Sequence, residues 1–103
     1  MDENKGTIKM ITETIVLIKP ENIESFHAQS EEFKNYRKTN FIDTNKILSH
    51  NCDTVDNQRT NIFTFDNESL MNEYYNDAIV LENTKLAKQY NFTNNISCNK
   101  IIG

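Results

Sequence analysis

The stretch MITETIVLI, residues 10–18, decides the fold, because it is the clearest β-strand in this chain of 103 residues. Branched and apolar residues dominate it, as is typical of strands. Alternate residues of a strand share a face. One face carries Ile11, Glu13, Ile15 and Leu17, and the other carries Met10, Thr12, Thr14, Val16 and Ile18. Both faces are substantially apolar, which predicts a central strand that is covered on both sides.

After this strand, the pattern predicts a helix, two strands, a broken helix and a last strand. Pro20 ends the first strand and suits a helix's first turn, and apolar residues at helical spacing predict a helix over 21–38. Strands are predicted at 42–52, 59–65 and 92–102, with a turn at 53–58. Asp66 or Asn67 is expected to cap the second helix, which breaks near 76–77 and continues along a stripe of Ile79, Leu86 and Tyr90.

The resulting order, β-α-β-β-α-β, is typical of an α+β, ferredoxin-like fold. Two right-handed β-α-β crossovers place both helices on one face of a four-stranded antiparallel sheet, so the opposite face is bare. Because the first strand is apolar on both faces, we expect a second copy to cover that bare face. The sequence therefore predicts a homodimer that forms through the open sheet face.

Composition excludes several classes of function. The net charge is −4 with no basic stripe, so no nucleic acid partner is expected. The sequence has neither an apolar run long enough to span a membrane nor a secretion signal. Cys52 and Cys98 have no metal-type or disulfide-type spacing, which favours reduced thiols in the cytoplasm. Residues 1–8 are polar and predicted to be a flexible tail before a single domain over 9–103.

Four short segments carry a resemblance to a known family. They are Ile18-Lys19-Pro20, the junction Asn40-Phe41-Ile42, the strand ending Asn61-Ile62-Phe63-Thr64-Phe65, and the helix start Asp66-Asn67-Glu68-Ser69-Leu70. In these segments and in its layout, the chain resembles the antibiotic biosynthesis monooxygenase family and its wider dimeric α+β barrel relatives. The resemblance spans about residues 9–100. It implies a dimeric α+β barrel and a cofactor-free monooxygenase.

The sequence also departs from that family at the positions that carry its chemistry. Family members often have Trp at the end of the third strand, where this chain has Thr64 and Phe65. A His common in the second helix is replaced by the segment Glu73-Tyr74-Tyr75. The Asn that haem-degrading members use falls on Glu13. The resemblance therefore disfavours haem degradation, and the family's catalytic residues cannot be copied onto this chain.

Two residues are candidate catalytic groups. Glu13 interrupts an apolar strand face that should meet the helices, and a carboxylate buried there could act as a general base. It could instead lie at a frayed strand end or pair with a lysine. His27, predicted on the first helix, could deprotonate a phenol-like substrate at neutral pH, or it could be half-exposed and idle. His50 is as well explained by a dimer interface as by catalysis.

Aromatic residues suggest a place for a substrate. A flat compound of quinol type would stack in a pocket between sheet and helices, although plain core packing explains the same residues. The candidate binding residues are Tyr36, Phe63, Phe65, Tyr74 and Tyr75. The first functional hypothesis is a monooxygenase-like enzyme that acts on a small aromatic or quinol compound, with no cofactor and no metal. The second is a non-catalytic small-molecule-binding or regulatory dimer of the same fold.

Overall fold

A computed structural model describes residues 9–103, and at its centre lies a four-stranded antiparallel sheet. The strands are β1 (Ile11–Ile18), β2 (Ile47–Val55), β3 (Gln58–Phe65) and β4 (Ser97–Ile102), in the order β2-β3-β1-β4. The helices are α1 (Glu31–Arg37), α2 (Glu68–Asn76) and α3 (Ala78–Thr93). This arrangement confirms the predicted α+β, ferredoxin-like fold. The predicted tail over 1–8 lies outside the described residues.

β1 is central, as its two apolar faces predicted. It pairs with β3 on one side, where Glu13 lies opposite Phe63, and with β4 on the other, where Glu13 lies opposite Ile102. Thr12 and Gly103 exchange two backbone hydrogen bonds of 3.0 Å, which extend the β1–β4 pairing to the end of the described chain. β1 thus has strand partners along both edges.

The core lies between the sheet and the helices. Its members are mostly aromatic and come from β2, β3, all the helices and the turn after α1, and the buried set is Phe33, Phe41, Ile47, Phe63, Phe65, Met71, Tyr74 and Val80. Ile11 and Ile15 of β1 pack against this cluster. The face of β1 that carries Glu13 therefore looks toward the helices.

The helix predicted over 21–38 is wrong in its first half. α1 begins at Glu31, where the Ser30 side chain accepts a hydrogen bond from the Phe33 backbone N–H at 3.1 Å. The Ser30 hydroxyl satisfies one free N–H group of the first turn, and Glu31 and Glu32 suit the positive end of the helix dipole, whereas Pro20 offers no such acceptor. Residues 23–30 contain no helix, so His27 does not lie on one.

The bounds of two strands also differ from the predicted ones. β2 starts at Ile47 instead of residue 42, because Lys38–Ile42 continues the helix as a π-turn and Asn45 adopts a left-handed φ of 62°. β4 starts at Ser97 instead of residue 92, because α3 runs on to Thr93 before Asn95 reverses the chain with a φ of 56°. Asparagine tolerates this backbone region better than most residues, so the two asparagines mark the real boundaries.

The second helical region follows the prediction closely. The side chain of Asn67, and not that of Asp66, caps α2 by accepting from the Leu70 N–H at 2.9 Å. The expected break falls at Asp77, which caps α3. In α3, Val80 is the buried residue, whereas Ile79 and Leu86 of the predicted stripe are exposed.

The sheet face opposite the helices is open in the single chain. Exposed apolar side chains on it come from all four strands, and they are Ile18, Val55, Ile62 and Ile101. Threonines and other small polar residues lie between them. Among residues 9–103, no helix is long and apolar enough to cross a membrane.

Candidate functional site

Glu13 is the most unusual residue of the fold, because its carboxylate is 1% exposed inside an aromatic layer. It lies on the helix-facing side of β1, between Phe63 of β3 and Ile102 of β4. A buried charge is costly unless it is paired or hydrogen-bonded. The surroundings of Glu13 supply partners of both kinds.

Tyr75 of α2 and Lys100 of β4 hold the Glu13 carboxylate. The Tyr75 hydroxyl donates a short hydrogen bond to Glu13 Oε1, and Lys100 Nζ lies 3.2 Å from Glu13 Oε2. Lys100 Nζ also lies 4.6 Å from the centre of the Tyr75 ring, a cation–π contact. The three side chains therefore form one connected group, the Glu13 triad.

Within the triad, Tyr75 is the proton donor. Burial raises the pKa of Tyr75 far above its usual value, and the hydrogen bond to the Glu13 carboxylate raises it further. Its hydroxyl therefore keeps its proton at physiological pH. Tyr75 can orient Glu13 or donate to a ligand, but it does not serve as a base.

Four of the five predicted aromatic binding residues come together beside the triad. Phe63, Phe65, Tyr74 and Tyr75 have neighbouring ring centres 5.0 to 6.1 Å apart. Such tilted contacts are ordinary packing between aromatic rings. The fifth, Tyr36, lies outside this group, packs on Phe41 and donates to the Asp77 carboxylate at 2.6 Å.

His27 packs against Tyr90 of α3 and not against the residues of the Glu13 triad. Its ring centre is 5.5 Å from that of Tyr90 in α3, and Tyr90 donates to the Ser25 carbonyl at 2.7 Å. Burial lowers the pKa of His27, so the neutral imidazole predominates at pH 7. The two predicted catalytic residues, Glu13 and His27, therefore share no side-chain partner.

A second buried charge, Arg37, lies at the end of α1. Its side chain is 5% exposed, with the guanidinium carbon 5.2 Å from the Phe33 ring centre and 5.8 Å from that of Phe63. Burial raises the pKa of Tyr74, and a hydrogen bond with Arg37, together with the positive charge of Arg37, opposes this shift. Arg37 and Glu13 thus place opposite charges within one aromatic core.

His50 of β2 completes this part of the core. Its ring stacks on Phe63 at 4.1 Å, nearly parallel, and its Nε2 lies 3.2 Å from Asn61 Oδ1. Burial lowers the pKa of His50; the hydrogen bond with Asn61 opposes this shift, and the charge of Arg37 adds to it. His50 is therefore neutral at pH 7 and half-buried beside the edge of the sheet.

Two surface clefts lie elsewhere. One, of about 400 Å³, separates α1 from α3 and is lined by Phe33, Tyr36, Ile79 and Leu86 among others. The other, of about 430 Å³, lies at the β2–β3 turn beside Ile18 and Val55. Neither is lined by Glu13 or His27. The space around Glu13 is occupied by the aromatic side chains, Tyr75 and Lys100.

Sequence reasoning missed two charged residues of this region. Arg37 follows Phe33 by four residues, so helical spacing alone places it on the buried stripe. Lys100 gives no comparable signal, because its approach to Glu13 depends on the pairing of the first and last strands. Within the part of the chain that the structure describes, no three His, Cys, Asp or Glu residues are grouped to hold a metal ion.

Comparisons with known proteins agree with the fold. No protein-family model matches this chain, and no curated protein matches it. Among solved structures, it is similar to SnoaB, a cofactor-independent oxygenase from Streptomyces nogalater. The two share a TM-score of 0.60 and 11% sequence identity over 92% of this chain and 91% of that one. At this identity, the likeness shows a common fold.

Proposed function

We propose that this chain is a cofactor-independent, monooxygenase-like protein that acts on a small aromatic compound of quinol type. The observation that carries the proposal is the Glu13 triad, a carboxylate 1% exposed between a tyrosine hydroxyl and a lysine. The fold shared with a cofactor-independent oxygenase supports the same reading. Membership of the antibiotic biosynthesis monooxygenase family and a cytoplasmic location belong to this proposal.

In the proposed reaction, Glu13 is the general base. It takes the proton of a substrate hydroxyl, and the resulting anion, which has carbanion character at a ring carbon, forms a C–O bond with oxygen. The hydroperoxide then loses water, so one oxygen atom stays on the ring as a ketone and the other leaves as water. The protein needs only an apolar site and a positioned base for such chemistry. Tyr75 orients the carboxylate, and the aromatic rings of Phe63, Phe65 and Tyr74 hold the substrate.

Lys100 is the member of the Glu13 triad that water reaches most easily. Lys100 lies on β4, an edge strand whose residues are all exposed, and its own side chain is 45% exposed. The Glu13 carboxylate of this pair is buried, so removal of the ammonium alone would leave an unpaired charge in the core. Glu13 Oε2 has no hydrogen-bond donor among the described residues, and in the proposed reaction the substrate hydroxyl donates to this oxygen.

His27 is the second candidate base. It is neutral at pH 7 and half-buried, which suits proton acceptance. Its aromatic neighbour is Tyr90, which has no role in the proposed reaction. Glu13 is therefore the base that we favour, and His27 is the variant that tests this choice.

The alternative is a non-catalytic small-molecule-binding or regulatory dimer of the same fold. The filled interior favours it, since neither surface cleft is lined by Glu13. Both functions use the proposed homodimer, in which a second copy covers the open sheet face. Ile18, Val55, Ile62 and Ile101, exposed on that face, support this partner.

Oxygen uptake tests the proposal directly. With a panel of anthrones and hydroquinones, the protein is expected to accelerate uptake, and Glu13→Gln is expected to abolish the acceleration. Loss of a positioned base typically costs about 10²- to 10⁴-fold in rate. His27→Gln should retain the rate if Glu13 is the base.

Glu73→Gln is the matched control. Glu73 also pairs with a lysine, Lys46, but this pair lies on the surface. The same substitution there is expected to leave uptake unchanged. If no compound of the panel is oxidised faster with the protein, or if Glu13→Gln keeps the full rate of uptake, the non-catalytic binding protein is the better description.

A further inference from the structure

Arg37 carries a charge that the described chain leaves unsatisfied. Its Nε and Nη1 atoms are buried and have no hydrogen-bond acceptor within residues 9–103. Arginine stays protonated in proteins, so it cannot avoid the cost of burial by losing its proton as a lysine does. A guanidinium that is 5% exposed with free N–H groups therefore needs an anion.

The neighbouring side chains do not supply that anion. The Phe33 and Phe63 rings offer Arg37 cation–π contacts, which use the faces of the rings and leave in-plane N–H groups free. Glu13, the buried carboxylate of the same core, accepts from Tyr75 through Oε1 and forms an ion pair with Lys100 through Oε2, and Oε2 has no hydrogen bond within the described residues, to Arg37 or to any other side chain. The neutral Tyr74 hydroxyl also contacts the guanidinium by a hydrogen bond. The Nε and Nη1 donors of Arg37 are thus available to a group from outside residues 9–103.

A route to Arg37 leads over the β2 edge of the sheet. β2 is an edge strand, and its residues from Asn51 to Val55 are exposed. His50 is half-buried between this edge and the Phe63 ring that Arg37 also contacts. A molecule that enters here meets an imidazole ring and two phenyl rings before it meets the guanidinium.

We propose that Arg37, together with Phe33, Phe63 and His50, forms a binding site for the carboxylate of a small aromatic acid. A carboxylate matches the two-pronged donor geometry of a guanidinium, and a flat ring attached to it packs on the flanking aromatic side chains. Binding is favourable because the ligand carboxylate compensates the buried charge of Arg37. His50, with its neutral ring, closes the site without repelling the acid.

This inference deepens the proposed function by naming a substrate class, aromatic acids, and it rests on that function for the step from binding to oxygen uptake. Tyr74 links the two regions, since both the Arg37 and the Glu13 charges act on its hydroxyl. A substrate whose carboxylate binds Arg37 packs against Phe63, the residue that lies opposite Glu13 in the sheet.

Thermal unfolding with benzoate and with benzamide tests the site. The two probes have the same shape, and only benzoate carries the charge. At about ten times its Kd, benzoate multiplies the folding constant about elevenfold, which raises the Tm of a domain of this size by roughly 6 to 11 °C. Benzamide is expected to have no effect.

Two variants complete the test. Arg37→Met keeps an unbranched apolar side chain, removes the guanidinium with its charge and is expected to abolish the benzoate response. Arg37→Lys keeps a long basic side chain and is expected to weaken the response, because an ammonium lacks the planar fork and a buried lysine loses its proton more readily than an arginine. Equal responses to both probes, no response, or an undiminished response in either variant would overturn the inference.

The oxygen assay separates this inference from the proposed function. Glu13→Gln is expected to keep the benzoate response while it loses oxygen uptake. A benzoate response without oxygen uptake in the unaltered protein leaves the Arg37 site standing and removes the enzyme. Oxygen uptake without a benzoate response removes the Arg37 site and leaves the proposed enzyme standing.

Discussion

Tyr75 is the residue whose hydroxyl determines how the Glu13 carboxylate is held. Tyr75→Phe removes the short hydrogen bond to Glu13 and leaves one carboxylate oxygen of a buried group without its donor. Loss of such a charged hydrogen bond costs about 1.5 to 3 kcal/mol in free energy of unfolding. The urea midpoint of the variant measures this loss.

Tyr36→Phe is the control for that substitution. Tyr36 also donates to a carboxylate, that of Asp77, but Asp77 is accessible to water. Water replaces the lost donor there, so the midpoint should fall by less than in Tyr75→Phe. An equal or larger fall would mean that burial does not strengthen the Tyr75–Glu13 bond.

His50 makes stability depend on pH in a defined window. Burial lowers the pKa of His50 in the folded chain below the usual 6.5. As pH falls through 6.5, the unfolded chain binds a proton first, so stability decreases until the folded pKa is reached. The urea midpoint should therefore fall as the pH drops from neutral through 6.5, and His50→Gln should flatten this fall.

His27 contributes in the same direction, because burial lowers its pKa too. The urea midpoint of the double variant His27→Gln, His50→Gln is thus expected to depend less on pH than that of either single variant. Asp77 has a lowered pKa and affects stability only near and below its usual value of 3.8, outside this window. A fall that neither histidine variant reduces would contradict this assignment.

Only some residues of the candidate site could be predicted from the sequence alone. Glu13 can be found because its carboxylate interrupts an apolar strand face. Arg37 can be found because it follows the buried Phe33 by four residues, which places both on one face of the helix. The position of His27 was not predictable from its neighbours, since it depends on where α1 starts. Lys100 lies 87 residues from Glu13, and no local pattern records that contact.

Among the elements, α2 offers a direct comparison of two candidate caps. Asn67 accepts from the Leu70 N–H, whereas the Asp66 side chain is exposed and does not cap. Asn67→Ala should cost about 1 kcal/mol in free energy of unfolding, and Asp66→Ala should change it little. Equal effects of the two substitutions on the urea midpoint would show that the helix can start one residue earlier.

Element boundaries were harder to predict than element types. The stripe over residues 23–36 indicates a helix, yet Ser30 with Glu31 and Glu32 gives a stronger start signal than Pro20. Between them, Phe26 is buried near Lys19 and Arg59, which favours an extended segment across the end of the sheet. Tertiary packing therefore overrides the local helical spacing there.

For the whole molecule, the proposed dimer is the main prediction. The chain mass is 12.0 kDa, and light scattering is expected to give twice this value. Ile62→Lys places a charge on the open sheet face and should shift the mass toward that of the monomer. Leu81→Lys, at an exposed apolar position on α3, should leave the mass unchanged. A monomeric mass for the unaltered chain would refute the dimer.

The order of the strands was the most predictable feature of the molecule. The apolar alternation of β1 on both faces identified the central strand, and the β-α-β-β-α-β sequence then left one compact arrangement. Its open face follows from that arrangement, because every helix packs on the other side. What covers the face depends on a second molecule, and one sequence holds no direct record of it.

The pairing of β1 with β4 has a consequence for how the chain folds. The central strand lies between β3 and the last strand, so its second edge stays bare until β4 arrives. Closure of a loop that spans nearly the whole described chain is slow, and contacts of this range lower folding rates. We expect an early species in which the helices and the β2–β3 hairpin have formed while water still surrounds Glu13. Docking of β4 then brings Lys100 to Glu13, so burial of that acid is a late event in folding.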